Sequence, residues 1–157
     1  MPLIDPGKKA PAFSLNDQQG HTHRLSDYAG RPVVLFFYPK DATPGCTKEA
    51  CGFQDNLPKF KPSKAAVFGI SILDEASKAK FAEKFNLTFP LLADADHAVA
   101  DKYGVWQKKS LYGRSFMGIA RTTYLIGGDG KIVKRWDRVK VDDHAEDVLA
   151  EVRALGA

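Results

Sequence analysis

Cysteine is scarce: the 157 residues contain two, Cys46 and Cys51, both in one short stretch. A pair is too few for the disulfide framework that staples small secreted domains. The chain opens MPLIDPGKKAPAF, with prolines and lysines where a secretory signal would carry its apolar segment. A cytoplasmic protein is therefore expected, its thiols kept reduced and open to catalytic or redox use. Long hydrophobic runs are missing too, since nothing approaches the roughly 20 apolar residues of a membrane span, and no membrane partner is expected. Charge of one sign is also lacking. The formal net charge is +4, but Lys and Arg are interspersed with Asp and Glu, and Trp136 and Asp137 interrupt the densest basic stretch, Lys131 to Lys140. That pattern reads as solvated surface and argues against a nucleic-acid partner. No repeat, low-complexity tract or long linker divides the sequence, whose length suits a single domain over 1–157 that buries roughly 70% of its unfolded surface.

What is present alternates between two periods. After an irregular arm over residues 1–10, Ala12 to Leu15 and Thr22 to Leu25 flank Asn16, Asp17 and Gly20 as an N-terminal β-hairpin. His21 and His23 share a face of its second arm, but with no third ligand nearby no metal site is expected. Pro32 to Tyr38, PVVLFFY, is a continuous β-branched and aromatic run, the mark of a central strand buried on both faces. Thr43 and Pro44 open a helix expected to run towards Leu57 and stop at Pro58. Ala66 to Ile72 is a second buried strand. Asp74 to Phe85 forms an amphipathic helix, with Phe81 and Phe85 a turn apart and lysines elsewhere.

A short strand is expected from Phe89 to Leu92, then a helix from Asp94 to Tyr103 closed by Gly104. Arg121 to Ile126 and Lys131 to Trp136 flank Gly127, Gly128, Asp129 and Gly130 as a hairpin. The last helix, Asp142 to Leu155, puts Ala145, Val148, Leu149, Val152 and Leu155 on one face. Strands alternating with helices, followed by an antiparallel hairpin, predict an α/β fold with a mixed central sheet and helices on both faces.

The chemistry converges on Tyr38 to Cys51, YPKDATPGCTKEAC. With Thr43 as the cap and Pro44 as the first helical residue, Gly45 and Cys46 are second and third. Cys46 then lies among backbone N–H groups without intrahelical partners, at the positive end of the helix dipole. Cysteines so placed ionise readily, so Cys46 is a candidate thiolate nucleophile; the alternative is a small buried apolar residue. Cys51 follows five residues later, which in an intact helix separates the two Cα atoms by roughly 8 to 9 Å. A disulfide rarely tolerates more than about 7 Å, so any bond between them requires the first turns to unwind. Gly52 lowers helix propensity where that unwinding would be accommodated. Arg121 opens a strand, and its charge reaches Cys46 only if that strand neighbours the one ending at Tyr38.

Residues 39–46, PKDATPGC, carry the proline, threonine and cysteine spacing of the peroxiredoxins, and the longer stretch resembles their bacterioferritin-comigratory, or PrxQ, branch. The likeness continues through FPLLAD (89–94), YGVW (103–106), GIARTTYLI (118–126) and the final helix. It departs at Gly127, where an aspartate is common, and at Ile72 and Leu73, where a serine and proline segment is usual. The resemblance implies a thioredoxin-like fold and a thiol peroxidase that reduces hydroperoxides without a cofactor. It implies that Cys46 is the peroxidatic cysteine, that the Thr43 hydroxyl bonds the peroxide, and that Pro39 shields the pocket with Pro44 and Gly45 supporting it. Arg121 becomes the guanidinium that stabilises thiolate and developing charge, and Glu49 the carboxylate of that cluster. Cys51 matches the resolving cysteine, giving an intramolecular disulfide reduced by thioredoxin or a similar dithiol, a cycle that a monomer can complete.

The residues also admit three other readings. A thioredoxin-type disulfide reductase needs two residues between its cysteines, and this chain has four. A peroxidase with an inert Cys51 would rely on an external thiol. A non-enzymatic binding module of the same fold would hold Cys46 unreactive.

Overall fold

The computed structural model describes residues 2–155. In chain order the elements are β1 (Ser14–Asn16), β2 (Thr22–Arg24), β3 (Val33–Phe37), α1 (Pro44–Phe60), β4 (Ala66–Ser71), α2 (Glu75–Phe85) and β5 (Leu91–Ala93). They continue with α3 (Ala98–Lys102), β6 (Trp106–Leu111), β7 (Arg114–Ile119), β8 (Thr122–Ile126), β9 (Ile132–Trp136) and α4 (His144–Leu155). Five strands form the central sheet in the order β5-β4-β3-β8-β9. The β3–β4 and β4–β5 pairs are parallel, while β3–β8 and β8–β9 are antiparallel. This is the mixed, thioredoxin-like sheet expected, with β3 at its centre and the N-terminal hairpin β1–β2 beside it.

The apolar run makes β3 central because every residue from Val33 to Tyr38 is at most 1% exposed. Burying each such large side chain is worth roughly 1.5 to 3 kcal/mol, which no edge position would return. Alternation divides the run between two cores. Val34, Phe36 and Tyr38 pack with Phe53 of α1, Phe81 of α2 and Val148 of α4, whereas Val33, Leu35 and Phe37 meet Val99 of α3, Tyr103 and Tyr124. Three of the four helices thus share one face. The other is closed by α3, the N-terminal arm and part of the β6–β7 hairpin, so helices lie on both faces as expected, three against one.

Several boundaries differ from the sequence expectation. Helix α1 continues through Pro58 to Phe60, because a proline this close to the C-terminus sacrifices a single hydrogen bond and only two further helical residues depend on it. The chain then tightens into a 3₁₀ turn and leaves through Lys64 at φ 57°. Helix α3 begins at Ala98 rather than Asp94, since the Asp94 carboxylate accepts the N–H groups of Val99 and Ala100 and so ends the preceding turn. Leu155 of α4 is 41% exposed, a last turn that has run off the core. Strand β5 starts two residues late, after Pro90. The hairpin β6–β7 was not foreseen at all. Its two-residue turn, Tyr112 and Gly113, has positive φ at both positions, the type I′ signature that suits a hairpin.

Candidate active site

The site stands where β3 ends and α1 begins. Asp41 is buried, and Ala42 adopts φ 62°, a left-handed conformation uncommon outside glycine. Pro44 then excludes the helical region for its predecessor, so Thr43 is extended (φ −77°, ψ 153°) and forms the N-cap. The cap position is as expected, but the hydroxyl acts otherwise: Thr43 Oγ1 donates to the Lys40 carbonyl at 2.9 Å and makes no cap hydrogen bond. The first-turn N–H groups are thus left without a side-chain cap around Cys46. Pro39 and Thr43 are half-buried at the rim and Pro44 is exposed, while Cys46 is 1% exposed.

Strand adjacency brings in the positive charge. Phe37 of β3 pairs with Thr122 of β8, which sets Arg121 beside the β3–α1 turn, the condition its role required. Its Nη2 donates to Cys46 Sγ at 3.3 Å and its Nη1 to Glu49 Oε1 at 2.8 Å. Glycine at 45 makes the approach feasible, since a Cβ there would meet Arg121 Nη2 at 3.2 Å. Burial raises the Glu49 carboxyl to about 7 against the opposing pull of Arg121, and among the described residues its Oε2 has no hydrogen-bond partner. For Arg121 burial opposes the charge, but Glu49 and Cys46 outweigh it and the guanidinium is held more firmly protonated. Cys46, Glu49 and Arg121 therefore form one cluster, with Thr43, Gly45 and Pro39 around it.

Cys51 lies on the same unbroken helix, and both cysteines are free thiols. Burial, and then Asp55, pushes the Cys51 thiol up, so it is held as the neutral thiol, with the intact helix turn between it and Cys46. Of the two departures, Gly127 is remote: it follows β8 at the end of the strand away from Arg121, lining a cavity of about 250 Å³ with Tyr28 and Val33. Ile72 is near, directly after Ser71, whose hydroxyl bonds Asp41.

Two neighbours of the site escaped the sequence reading. Lys78 is not among the exposed lysines of α2; it is fully buried, and it binds Asp41. The signal was present, because Lys78 stands three and seven residues before Phe81 and Phe85 on the apolar face of the helix. Lys109 of the hairpin carries its side chain over Gly118, and its ammonium is pushed down by burial and by Arg121, with Cys46 opposing. Among the described residues, no group of three or more His, Cys, Asp or Glu could hold a metal ion.

A thiol at a helix start, faced by a guanidinium on a thioredoxin-like sheet, defines a thiol-based oxidoreductase. The chain belongs to the AhpC/TSA family, whose model matches residues 6–135, and within it to the peroxiredoxins. It is 44% identical to the peroxiredoxin Bcp of Bacillus subtilis over 152 residues, 97% of each chain. Against Bcp of Escherichia coli K12 the identity is 45% over 143 residues, 91% of this chain and 92% of the relative. Among solved structures, the bacterioferritin comigratory protein of Xanthomonas campestris, studied for alkyl peroxide reduction, superposes with a TM-score of 0.91 at 36% identity, covering 98% of this chain and all of the other. BcpB of Mycobacterium tuberculosis gives 0.86 at 42% identity, covering 97% and 98%.

Proposed function

We propose that the chain is a thiol peroxidase in which Cys46 reduces hydrogen peroxide and organic hydroperoxides and Cys51 resolves the product. The observation that carries this reading is the 3.3 Å contact from Arg121 Nη2 to Cys46 Sγ at the uncapped start of α1. Cys46 thiolate attacks the terminal peroxide oxygen; an S–O bond forms, the O–O bond breaks, and the departing hydroxide or alkoxide takes up a proton. Negative charge migrates from sulfur to the leaving oxygen, and the first-turn N–H groups and Arg121 already face that path. The Thr43 hydroxyl, now donating to Lys40, turns to the bound peroxide with one χ1 rotation.

The sulfenic acid then meets Cys51, whose sulfur forms the S–S bond as water leaves. Left unresolved, it would be open to further, irreversible oxidation. Because α1 is continuous from Pro44 to Phe60, its first turns unwind for this step. Thioredoxin or a similar dithiol returns the pair to thiols by exchange, in the cytoplasm that supplies such reductants. One chain holds both cysteines, so a monomer suffices.

The test is thiol counting after one equivalent of hydrogen peroxide. Wild type loses both thiols and stays monomeric on a non-reducing gel, Cys51→Ser accumulates sulfenic acid, and Cys46→Ser consumes no peroxide. Peroxide consumption by Cys46→Ser at the wild-type rate refutes the proposal. The raised Cys51 thiol favours a second reading, in which it is a spectator and an external thiol resolves Cys46. Wild type that retains one thiol after oxidation would establish that reading.

A further inference from the structure

Under the turn that carries Pro39 to Thr43 lies a sealed polar cluster that does not touch Cys46. Lys78 Nζ donates to Asp41 Oδ1 and Oδ2 at 3.2 and 3.3 Å, to Ser71 Oγ, and to Tyr38 Oη at 3.4 Å. Asp41 also accepts from Tyr38 Oη at 2.5 Å and from Ser77 Oγ at 2.7 Å. The Lys78 side chain is 0% exposed and that of Asp41 3%. Ser77 is itself oriented, because its N–H donates to the Asp74 carboxylate that caps α2. Three elements therefore converge on one carboxylate: the end of β3 through Tyr38, the end of β4 through Ser71, and the start of α2 through Ser77 and Lys78.

This carboxylate sits next to a strained residue. Ala42, with φ 62°, adopts a conformation that costs free energy and persists only where its neighbours over-determine it. On one side stands Asp41 with its hydrogen bonds; on the other, the Thr43 hydroxyl holds the Lys40 carbonyl. The direction in which Thr43 and the start of α1 leave this turn is set by Ala42. A sealed ion pair is seldom the most stable filling for such a space, since a well-packed apolar pair often does as well or better. What an apolar pair would not supply is a directional bond to the turn.

We propose that Lys78 is a positioning residue for the peroxide reaction, holding the Pro39–Thr43 turn through Asp41 so that Thr43 and Cys46 meet the peroxide in one fixed geometry. The proposal rests on the peroxidase reading. The same anchor confines unwinding to the stretch after Thr43: α1 loosens while the turn stays in place as the surface on which it refolds once the disulfide is reduced.

The decisive variant is Asp41→Leu/Lys78→Met, which removes both charges and leaves no buried ion unpaired. Its rate constant for Cys46 oxidation by hydrogen peroxide in single turnover is expected to fall about 10- to 100-fold, the scale of a reacting group displaced by up to an ångström. Alkylation of Cys46 by iodoacetamide and reduction of the disulfide by dithiothreitol should stay within about threefold of wild type, because neither uses the fixed peroxide geometry. A folded double variant that oxidises at the wild-type rate overturns the proposal, as does an equal fall in all three rates. Ser77→Ala, which removes one bond to Asp41 from a half-buried position, guards against a double variant that does not fold. It should slow peroxide oxidation several-fold with iodoacetamide reactivity unchanged, and no change in peroxide oxidation would again overturn the anchor. Wild type without Cys46-dependent peroxide consumption would overturn the peroxidase reading and the anchor together, whereas an active wild type with unimpaired variants would remove the anchor alone.

Discussion

Two ion pairs flank the start of α1, and they are built differently. In Arg121–Glu49 the arginine side chain is 19% exposed, one of its nitrogens is given to Cys46 Sγ, and Glu49 keeps an oxygen without a partner among the described residues. In Lys78–Asp41 both side chains are sealed, and hydroxyls of Tyr38, Ser71 and Ser77 complete the network. The first pair has unspent hydrogen-bonding capacity beside Cys46 Sγ; the second has spent its own on the backbone turn. Charge that can respond to a developing anion and charge that fixes the chain are thus separated, on opposite sides of one helix start. The contrast predicts that breaking the first pair shows mainly in rate, whereas stranding one partner of the second costs stability as well, and removing both partners together leaves the loss in peroxide rate.

The largest effect on stability is expected from Lys78→Met. It strands the Asp41 carboxylate in a sealed site and should cost about 3 to 5 kcal/mol in urea unfolding, with most of the loss recovered in Asp41→Leu/Lys78→Met. Arg121→Met should lower the rate constant for peroxide about 10²- to 10³-fold in stopped-flow oxidation, the usual effect of deleting a preorganised donor. Its stability loss should be the smaller of the two, because Glu49, already pushed up to about 7, can shed its charge by binding a proton. Equal stability losses in Lys78→Met and Arg121→Met would erase the distinction between the pairs.

The pH dependence sharpens it further. Glu49 is raised from 4.5 to about 7 by burial, so its contribution is complete below pH 4.5 and is lost as pH rises through 7. His144, buried against Phe53 and Trp136 and bonded to Thr123 Oγ1 at 2.8 Å, is lowered by burial from 6.5 to about 4. Its contribution has the opposite sign, present above pH 6.5 and lost as pH falls through 4. In wild type the two largely cancel between pH 4.5 and 6.5. Glu49→Gln exposes the histidine, and its stability should rise by about 3 kcal/mol from pH 4 to 6.5, steeper than wild type in denaturant titrations at each pH. Parallel curves for the two proteins would show that Glu49 does not titrate in that range. The smallest effect belongs to Gly45→Ala. The new Cβ asks Arg121 Nη2 to yield a few tenths of an ångström, so peroxide oxidation should slow by less than about tenfold. Disulfide formation should slow as well, because alanine strengthens the turn that has to unwind.

The architecture was legible wherever one signal dominated. PVVLFFY reads as a central strand and is one, and the cysteine stretch announced the helix start at Thr43 and Pro44. Legibility failed where two signals overlapped. Lys78 occupies an apolar-face position of α2, and its charge suggested solvent; only the tertiary structure supplies the carboxylate that makes its burial tolerable. Similarly, Pro58 reads as a stop, yet two more helical residues cost little so near the helix end. Arg121 could be matched to a family motif, but its approach to Cys46 depended on the pairing of β8 with β3, a register no local pattern encodes. The hairpin β6–β7 was missed because Leu111, Phe116 and Met117 are exposed and give no buried alternation to read.

The central claim is that the start of α1 opens during turnover while the turn before it does not. Amide hydrogen exchange compared between the reduced and the Cys46–Cys51 disulfide forms measures this directly. The account requires loss of protection across residues 45–51 on oxidation, with Tyr38 and the residues of α2 around Lys78 protected equally in both forms. Unchanged protection across 45–51 in a protein whose disulfide has been verified, or loss of protection reaching back to Tyr38, would contradict it.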